Sequence, residues 1–180
     1  SDVVKEFGTV DILVNNAGLQ KDSPFDKMTL DQWNFVLGVN LTGQFLCARE
    51  AIREFLRRGI DEKKSRAAGK IICMSSVHEV IPWAGHANYA ASKGAIIAFT
   101  KAIALEVASS NVTVNVVAPG YTGTEMVNAI QTPVLDKIKA KIPLKRLAEP
   151  AEIAKAVAFL LHAGNSRTGQ QLHVNGAKRP

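Results

Sequence analysis

The sequence predicts an α/β fold: a doubly wound parallel sheet with helices on both faces, three layers α/β/α, in a single domain over residues 1–180. Three observations predict it. Short apolar runs alternate with helical patterns in the order strand, helix, strand, helix, strand, helix, strand, the order of parallel strands joined by crossover helices. Runs such as ILV (12–14) and VVA (116–118) are continuously apolar, as strands covered on both faces are. The ends of three strands read NNAG, SSVHE and PGYTGT. These are small and polar, and in such sheets working residues gather at the carboxyl ends of strands.

VDILVNN (10–16) is a short β-branched run that ends in a turn. A long helical pattern follows from Thr29 to Arg58. Thr29 and Gln32 have the spacing of a capping box, and Gly59 is placed as its stop. Gly38, Asn40 and Gly43 interrupt that pattern, and their low propensity in mid-helix asks for a reason. A charged linker (60–69) leads to the strand KIICMSS (70–76). After a loop with Pro82, Trp83 and Gly85, an alanine-rich helix runs to about Ser110. VTVNVVAPG (112–120) is the third strand. Residues 121–148 read as irregular with some helix around 133–141, 149–162 as a helix with Pro150 at its start, and 170–176 as the last strand.

Composition narrows the function classes. Hydrophobic residues are 47% and charged residues 21%, the balance of a soluble globular chain. No apolar run is long enough to cross a bilayer, and the start does not resemble a signal peptide. Cys47 and Cys73 lie within apolar segments and read as small buried thiols, and the four histidines are scattered. Neither pattern suggests a disulfide or a metal site, which points to a reducing, cytoplasmic setting. The net charge of +6 is concentrated in 57–70 and 137–146. Neither run is interleaved with aromatics as nucleic-acid stacking platforms are, so both read as solvated loops and helix ends.

The chemistry centres on Tyr89 and Lys93, four residues apart and so on one helix face. Ala87, Ala90, Ala91, Ser92, Gly94 and Ala95 surround them, a floor of small residues that leaves room for a flat ring. A free phenol, with a pKa of about 10, is a poor base at neutral pH. A neighbouring ammonium favours the phenolate and lowers that pKa. Ser76 ends the preceding strand, where a hydroxyl can orient a substrate oxygen. Asn40 breaks a helix, where a carboxamide can hold a water or bend the backbone. His78 and Glu79 read as loop polar groups or substrate contacts.

NNAG (15–18), Asn40 in VNLTG, Ser76, Y-x-x-x-K at Tyr89 and Lys93, and PGYTGT (119–124) occur in that order. Together they resemble the short-chain dehydrogenase/reductase family over essentially the whole chain. The resemblance implies a Rossmann-like fold and an NAD- or NADP-dependent oxidoreductase. It implies that Tyr89 exchanges a proton with the substrate, Ser76 holds the substrate oxygen, and Lys93 lowers the Tyr89 pKa and binds the nicotinamide ribose. Asn40 would support a water that relays protons to Lys93. Asn16, Ala17 and Gly18 would line the adenosine-ribose side of the cofactor, and Pro119, Gly120, Thr122 and Thr124 the nicotinamide end. Within the family, SSVHEVIPW (75–83) looks most like the glucose 1-dehydrogenase branch. That implies oxidation of an aldose at its anomeric carbon, in a pocket near His78, Glu79 and Trp83. The runner-up substrates are a 3-oxoacyl thioester or another secondary alcohol. A homo-oligomer is implied through the helices at 29–58 and 89–110, with Phe45, Leu46 or Phe99 exposed.

The chain also departs from the family pattern. SDVVKEFG (1–8) resembles the helix before the family's fourth strand, so the expected fold is an N-terminally truncated one. It lacks the first strand and the T-G-x-x-x-G-x-G turn, and the strand at 11–14 becomes a bare apolar edge. VNGA (174–177) stands where V-D-G-G is common, HAGNSRTG (162–169) looks shortened and DEKKSRAAG (61–69) looks long. A second function class is therefore a truncated relative, inactive and acting by association.

Overall fold

A computed structural model describes residues 2–162 and 166–178. Four strands, β1 (Ile12–Asn15), β2 (Gly69–Met74), β3 (Val112–Pro119) and β4 (Gln171–Val174), form one sheet in the order β1-β2-β3-β4. All three pairings are parallel, with Ile12 opposite Lys70, Gly69 opposite Val112 and Val116 opposite Gln171. The helices are α1 (Asp2–Phe7), α2 (Leu30–Leu37), α3 (Gly43–Arg58), α4 (Ala87–Val107), α5 (Glu125–Asn128), α6 (Thr132–Ala140) and α7 (Pro150–His162). The expected α/β fold, a parallel sheet with helices flanking it, is the fold observed.

Strand alternation builds the three layers. In β2, Ile71 and Cys73 join Phe55, Ala48 and Ala51 of α3 and Ile96 and Ala104 of α4 in one core. Ile72 and Met74 face the other way and pack with Val117, Leu160 and the α7 residues Ile153 and Val157. Successive side chains of a strand point to opposite faces, so a continuously apolar strand is what two covered faces require. A third cluster joins Tyr121, Ile138 and Ile142 to Trp83, Ile130 and Leu147 beneath the 121–148 segment. β1 lies at the sheet edge, with Ile12 and Val14 exposed. No helix among the described residues is long and apolar enough to cross a membrane.

The pattern expected as one helix from Thr29 to Arg58 is two helices joined by a π-helical turn, Gly38–Thr42. The Gly43 N–H donates to the Gly38 carbonyl, five residues back. One extra residue is thus inserted into the helix, which rotates Asn40 fully inward. Thr29 and Gln32 form the capping box with both reciprocal hydrogen bonds. Gly59 ends α3 with φ 74°. Cys73 is buried as expected, but Cys47 is exposed on the outer side of α3. Its apolar neighbours reflect a second apolar stripe on that helix rather than burial.

Gly69 begins β2 against Phe55, and a Cβ there would fall within the Phe55 ring. Phe55 has no solvent exposure, so the ring has nowhere to go without disturbing the core. Gly69→Ala is expected to cost about 2–3 kcal/mol, the upper part of the range for overpacking. The urea midpoint measures it, and an unchanged midpoint would show that the strand shifts freely.

Candidate active site

A cleft of about 440 Å³ opens at the carboxyl ends of the strands. The loop after β1 forms one wall, the end of β2 with the first turns of α4 forms the floor, and the segment after β3 forms the other wall. Ser76, Tyr89 and Lys93 all line it.

Lys93 is 4% exposed, and its Nζ donates to the Met74 carbonyl at 2.8 Å. Burial lowers its pKa to about 8, opposed by the negative charge of Glu79. Nζ makes this one hydrogen bond among the described residues, which leaves donors for the cleft. Tyr89 does not carry the lowered pKa that its neighbour leads one to expect. Burial pushes the phenol up, Ser76 pulls it down, Asp22 pushes it further up and Gln20 pulls it down. The reason is geometric. Lys93 Nζ lies 5.6 Å from the centroid of the Tyr89 ring, so its charge meets the ring face while its hydrogen bond goes to the backbone.

Ser76 ends the strand with extended backbone, and its Oγ accepts from the His78 N–H at 3.2 Å. Oγ also lies 3.0 Å from His78 Nδ1. His78 is buried, which lowers its pKa to about 4, with the positive charges of His86 and Lys178 adding to the effect. The imidazole is therefore neutral at pH 7.

Asn40 has no solvent exposure. Its Oδ1 accepts from the Leu19 N–H and its Nδ2 donates to the Leu19 carbonyl, both at 2.9 Å. The other Nδ2 hydrogen goes to Ser92 Oγ at 3.1 Å. Both donors are spent, so the expected water-holding role has only one acceptor position left on the side chain. What the carboxamide does is clamp the loop after β1 to α4.

The remaining expected residues divide. Asn16 and Gly18 line the cleft, as do Pro119, Gly120, Thr122 and Thr124 on the other wall. Ala17 is exposed and lies outside the lining. Glu79 also lies outside it: its carboxylate is held by Ser75 Oγ and by Gln171 Nε2 of β4, so the expected substrate contact is replaced by a strut to the sheet. Gly18 fits close approach, because a Cβ there would lie 3.3 Å from Lys93 Nζ and 3.6 Å from Asn40 Oδ1. With the spare donors of Lys93 beside that gap, the residues present fit a flat-ringed cofactor bearing hydroxyls.

Four contributors escaped the sequence reading. Asn88, fully buried, donates to the Lys21 and Gln32 carbonyls at 2.9 and 3.3 Å. Ser75 Oγ donates to the Lys93 carbonyl at 2.8 Å, Gln20 reaches the Tyr89 side of the cleft, and Tyr121 backs His78. None carries a spacing signal, although Ser75 opens SSVHEVIPW and Tyr121 lies within PGYTGT.

The Lys93 shift has a sign that can be measured. Its ordinary value is 10.5 and its folded value about 8, so between those values the unfolded chain binds more protons. The cost of burying the charge is full below about pH 8 and is relieved as the pH rises. Relative to Lys93→Met, wild type should therefore gain stability with pH above about 8, by at most about 1.4 kcal/mol per unit. Denaturant titrations of both proteins from neutral to alkaline pH test this; a constant difference would refute it.

A family profile described as Enoyl-(Acyl carrier protein) reductase matches residues 1–177. The chain is 48% identical over 170 residues to the acetoacetyl-CoA reductase of Acinetobacter sp. (strain RA3849), covering 94% of this chain and 65% of that protein. It is 40% identical over 176 residues to 3-oxoacyl-[acyl-carrier-protein] reductase FabG of Staphylococcus epidermidis, covering 97% and 69%. It is 42% identical over 172 residues to nodulation protein G of Azospirillum brasilense, covering 95% and 67%. The chain thus spans about two thirds of the length of these curated relatives. With a profile match over nearly every residue and Ser76, Tyr89 and Lys93 gathered in one cleft, the chain belongs to the short-chain dehydrogenase/reductase family.

Proposed function

We propose that the protein is an NAD- or NADP-dependent reductase of a 3-oxoacyl thioester. The observation that carries the reading is the convergence of Ser76, Tyr89 and Lys93 beside an apolar shelf made by Trp83, Tyr121, Val127 and Ile130. The names of relatives such as acetoacetyl-CoA reductase and 3-oxoacyl-[acyl-carrier-protein] reductase favour a thioester over the aldose expected from SSVHEVIPW. The shelf agrees with that change, since it offers an acyl chain more than it offers a sugar ring.

The bound nicotinamide supplies the hydride. Ser76 holds the carbonyl oxygen of the substrate. Tyr89 gives its proton to that oxygen as negative charge develops there. Burial keeps the phenol protonated at neutral pH, which is the state a reduction needs at its start. Lys93 holds ribose hydroxyls with its spare donors and stabilises the phenolate left behind. Asn40 keeps the loop that bears Gly18 against Lys93.

Calorimetry with the reduced dinucleotides is the first test, followed by reduction of acetoacetyl-CoA. We expect binding of one dinucleotide at micromolar strength, thioester reduction, and no oxidation of glucose. Tyr89→Phe should lower kcat by about 10³-fold, within the range for a positioned acid. Absence of binding by either dinucleotide would end the oxidoreductase reading for this chain; binding with glucose turnover alone would restore the aldose.

The protein is also proposed to be a homo-oligomer and cytoplasmic. Phe45, Leu46 and Leu105 are exposed on α3 and α4, and Phe99 is half-buried between them. An apolar groove runs between the two helices, lined by Phe45, Ile52, Phe99 and Ile103. Sedimentation at micromolar concentration should give a dimer or tetramer, and the double change Phe45→Glu, Leu105→Glu should give a monomer. A monomeric wild type refutes the assembly.

A further inference from the structure

His78 sits at the centre of a ring of aromatic side chains, and its imidazole has no part in the reaction as described. Trp83, Tyr89 and Tyr121 meet it edge-on at 6.2, 5.8 and 5.5 Å between centroids. Its two ring nitrogens have different neighbours: Nδ1 lies 3.0 Å from Ser76 Oγ, and Nε2 lies 3.4 Å from the Tyr121 hydroxyl. A neutral imidazole donates from one nitrogen and accepts at the other, so the tautomer decides what Ser76 can do.

In one tautomer Nε2 carries the hydrogen, and the Ser76 hydroxyl must spend its own proton on Nδ1. In the other, Nδ1 carries the hydrogen and donates to Oγ. Oγ already accepts from the His78 N–H, and two accepted bonds fill its lone pairs and leave its O–H pointing elsewhere. Tyr121 chooses between them. Tyr121 is 8% exposed, and His78 Nε2 is the one acceptor within hydrogen-bond distance of its hydroxyl among the described residues. A buried donor is almost always satisfied, so the phenol proton belongs on Nε2. Tyr121 itself is held in place by Lys178, whose Nζ lies 4.4 Å from its ring centroid. Burial also raises the Tyr121 pKa, so the phenol keeps its proton.

We infer that Tyr121 and His78 form a positioning pair that fixes the Nδ1–H tautomer and so frees the Ser76 hydroxyl proton for an oxygen in the cleft. The bonds run one way: Tyr121 O–H to Nε2, Nδ1–H to Ser76 Oγ, Ser76 O–H to the substrate. Both accepted bonds also polarise the Ser76 O–H toward donation. Neither residue touches the reacting atoms. The part played in turnover rests on the proposed reductase reading; the tautomer does not.

The test reads the tautomer directly. The ¹⁵N shifts of the His78 ring, assigned by comparison with a His78→Gln sample, should show a protonated Nδ1 in the free wild-type chain at neutral pH. In Tyr121→Phe the hydrogen should move wholly or partly to Nε2. A protonated Nε2 in wild type, or an unchanged Nδ1–H in Tyr121→Phe, overturns the inference. Kinetics add a second arm. Tyr121→Phe should lower kcat for acetoacetyl-CoA about tenfold with KM nearly unchanged. His78→Asn, whose amide nitrogen can replace Nδ1, should retain more of kcat than His78→Gln. Equal losses in the two His78 variants would count against the pair. Should wild type fail to reduce the thioester, the reductase reading falls, and the ring shifts still decide the tautomer.

Discussion

The site depends on a buried carboxamide that has no freedom left. Asn40 bonds both polar groups of the Leu19 peptide and the Ser92 hydroxyl. An amide with zero exposure would cost about 1–3 kcal/mol for each group left unpaired, so these partners are obligatory rather than incidental. The π-helical turn at Gly38–Thr42 is what rotates the amide into position. One turn later, Gln44 donates to the Met74 carbonyl at 3.3 Å, and Asn15 donates to the Gln44 carbonyl at 3.2 Å. The end of β1, the end of β2 and the start of α4 are therefore tied through one helix by polar contacts. Apolar packing alone tolerates sliding of a residue or so; directional bonds to backbone groups do not.

The same lack of water sets the charges. Burial is the largest cause of every shift in the cleft: down for Lys93 and His78, up for Tyr89 and Tyr121. At neutral pH the result is one desolvated cation, Lys93, beside the neutral Tyr89, Tyr121 and His78, with Asp22 on the loop wall. That pattern costs stability, since the Lys93 ammonium is compensated by a single carbonyl and by the more distant Glu79. It suits an oxygen that becomes negative, because fixed donors in a low-dielectric site need no reorganisation as charge develops.

Much of this was legible in the sequence, for identifiable reasons. The parallel sheet was readable because residues 71–74 of β2 and 116–118 of β3 are apolar on both faces, a pattern that one-sided burial does not produce. Tyr89 and Lys93 were readable because i and i+4 on a helix share a face whatever the tertiary context. Asn40 was readable as a disturbance, but not as a π-turn, since an inserted helical residue leaves no periodic mark in so short a stretch. The Tyr89 pKa was misread, and Glu79 was left open between two roles, for one reason. Both depend on which way a side chain points from a loop or a helix turn, and sequence proximity does not supply that direction. Asn88 was invisible because its partners are carbonyls of Lys21 and Gln32, and backbone acceptors have no sequence signature. Part of HAGNSRTG lies outside the described residues.

VNGA, which stands where V-D-G-G is common in the family, has a packing reason. Gly120 approaches Asn175 so closely that a Cβ would lie 2.7 Å from the Asn175 Cα. Gly176 has φ 62°, and a Cβ there would lie 2.7 Å from Ile142 Cγ2. Asn175 then bonds the Lys178 carbonyl at 3.1 Å, and this turn lays the Lys178 ammonium over Tyr121 and 5.7 Å from the centroid of Trp83. The two glycines therefore let β4 press on the end of β3 and on the segment that follows α6. The wall facing Ser76 is thus braced by the last strand, not by its own irregular backbone. Any change that pushes β4 away from Gly120 must also move Tyr121, and through His78 it reaches the hydroxyl of Ser76.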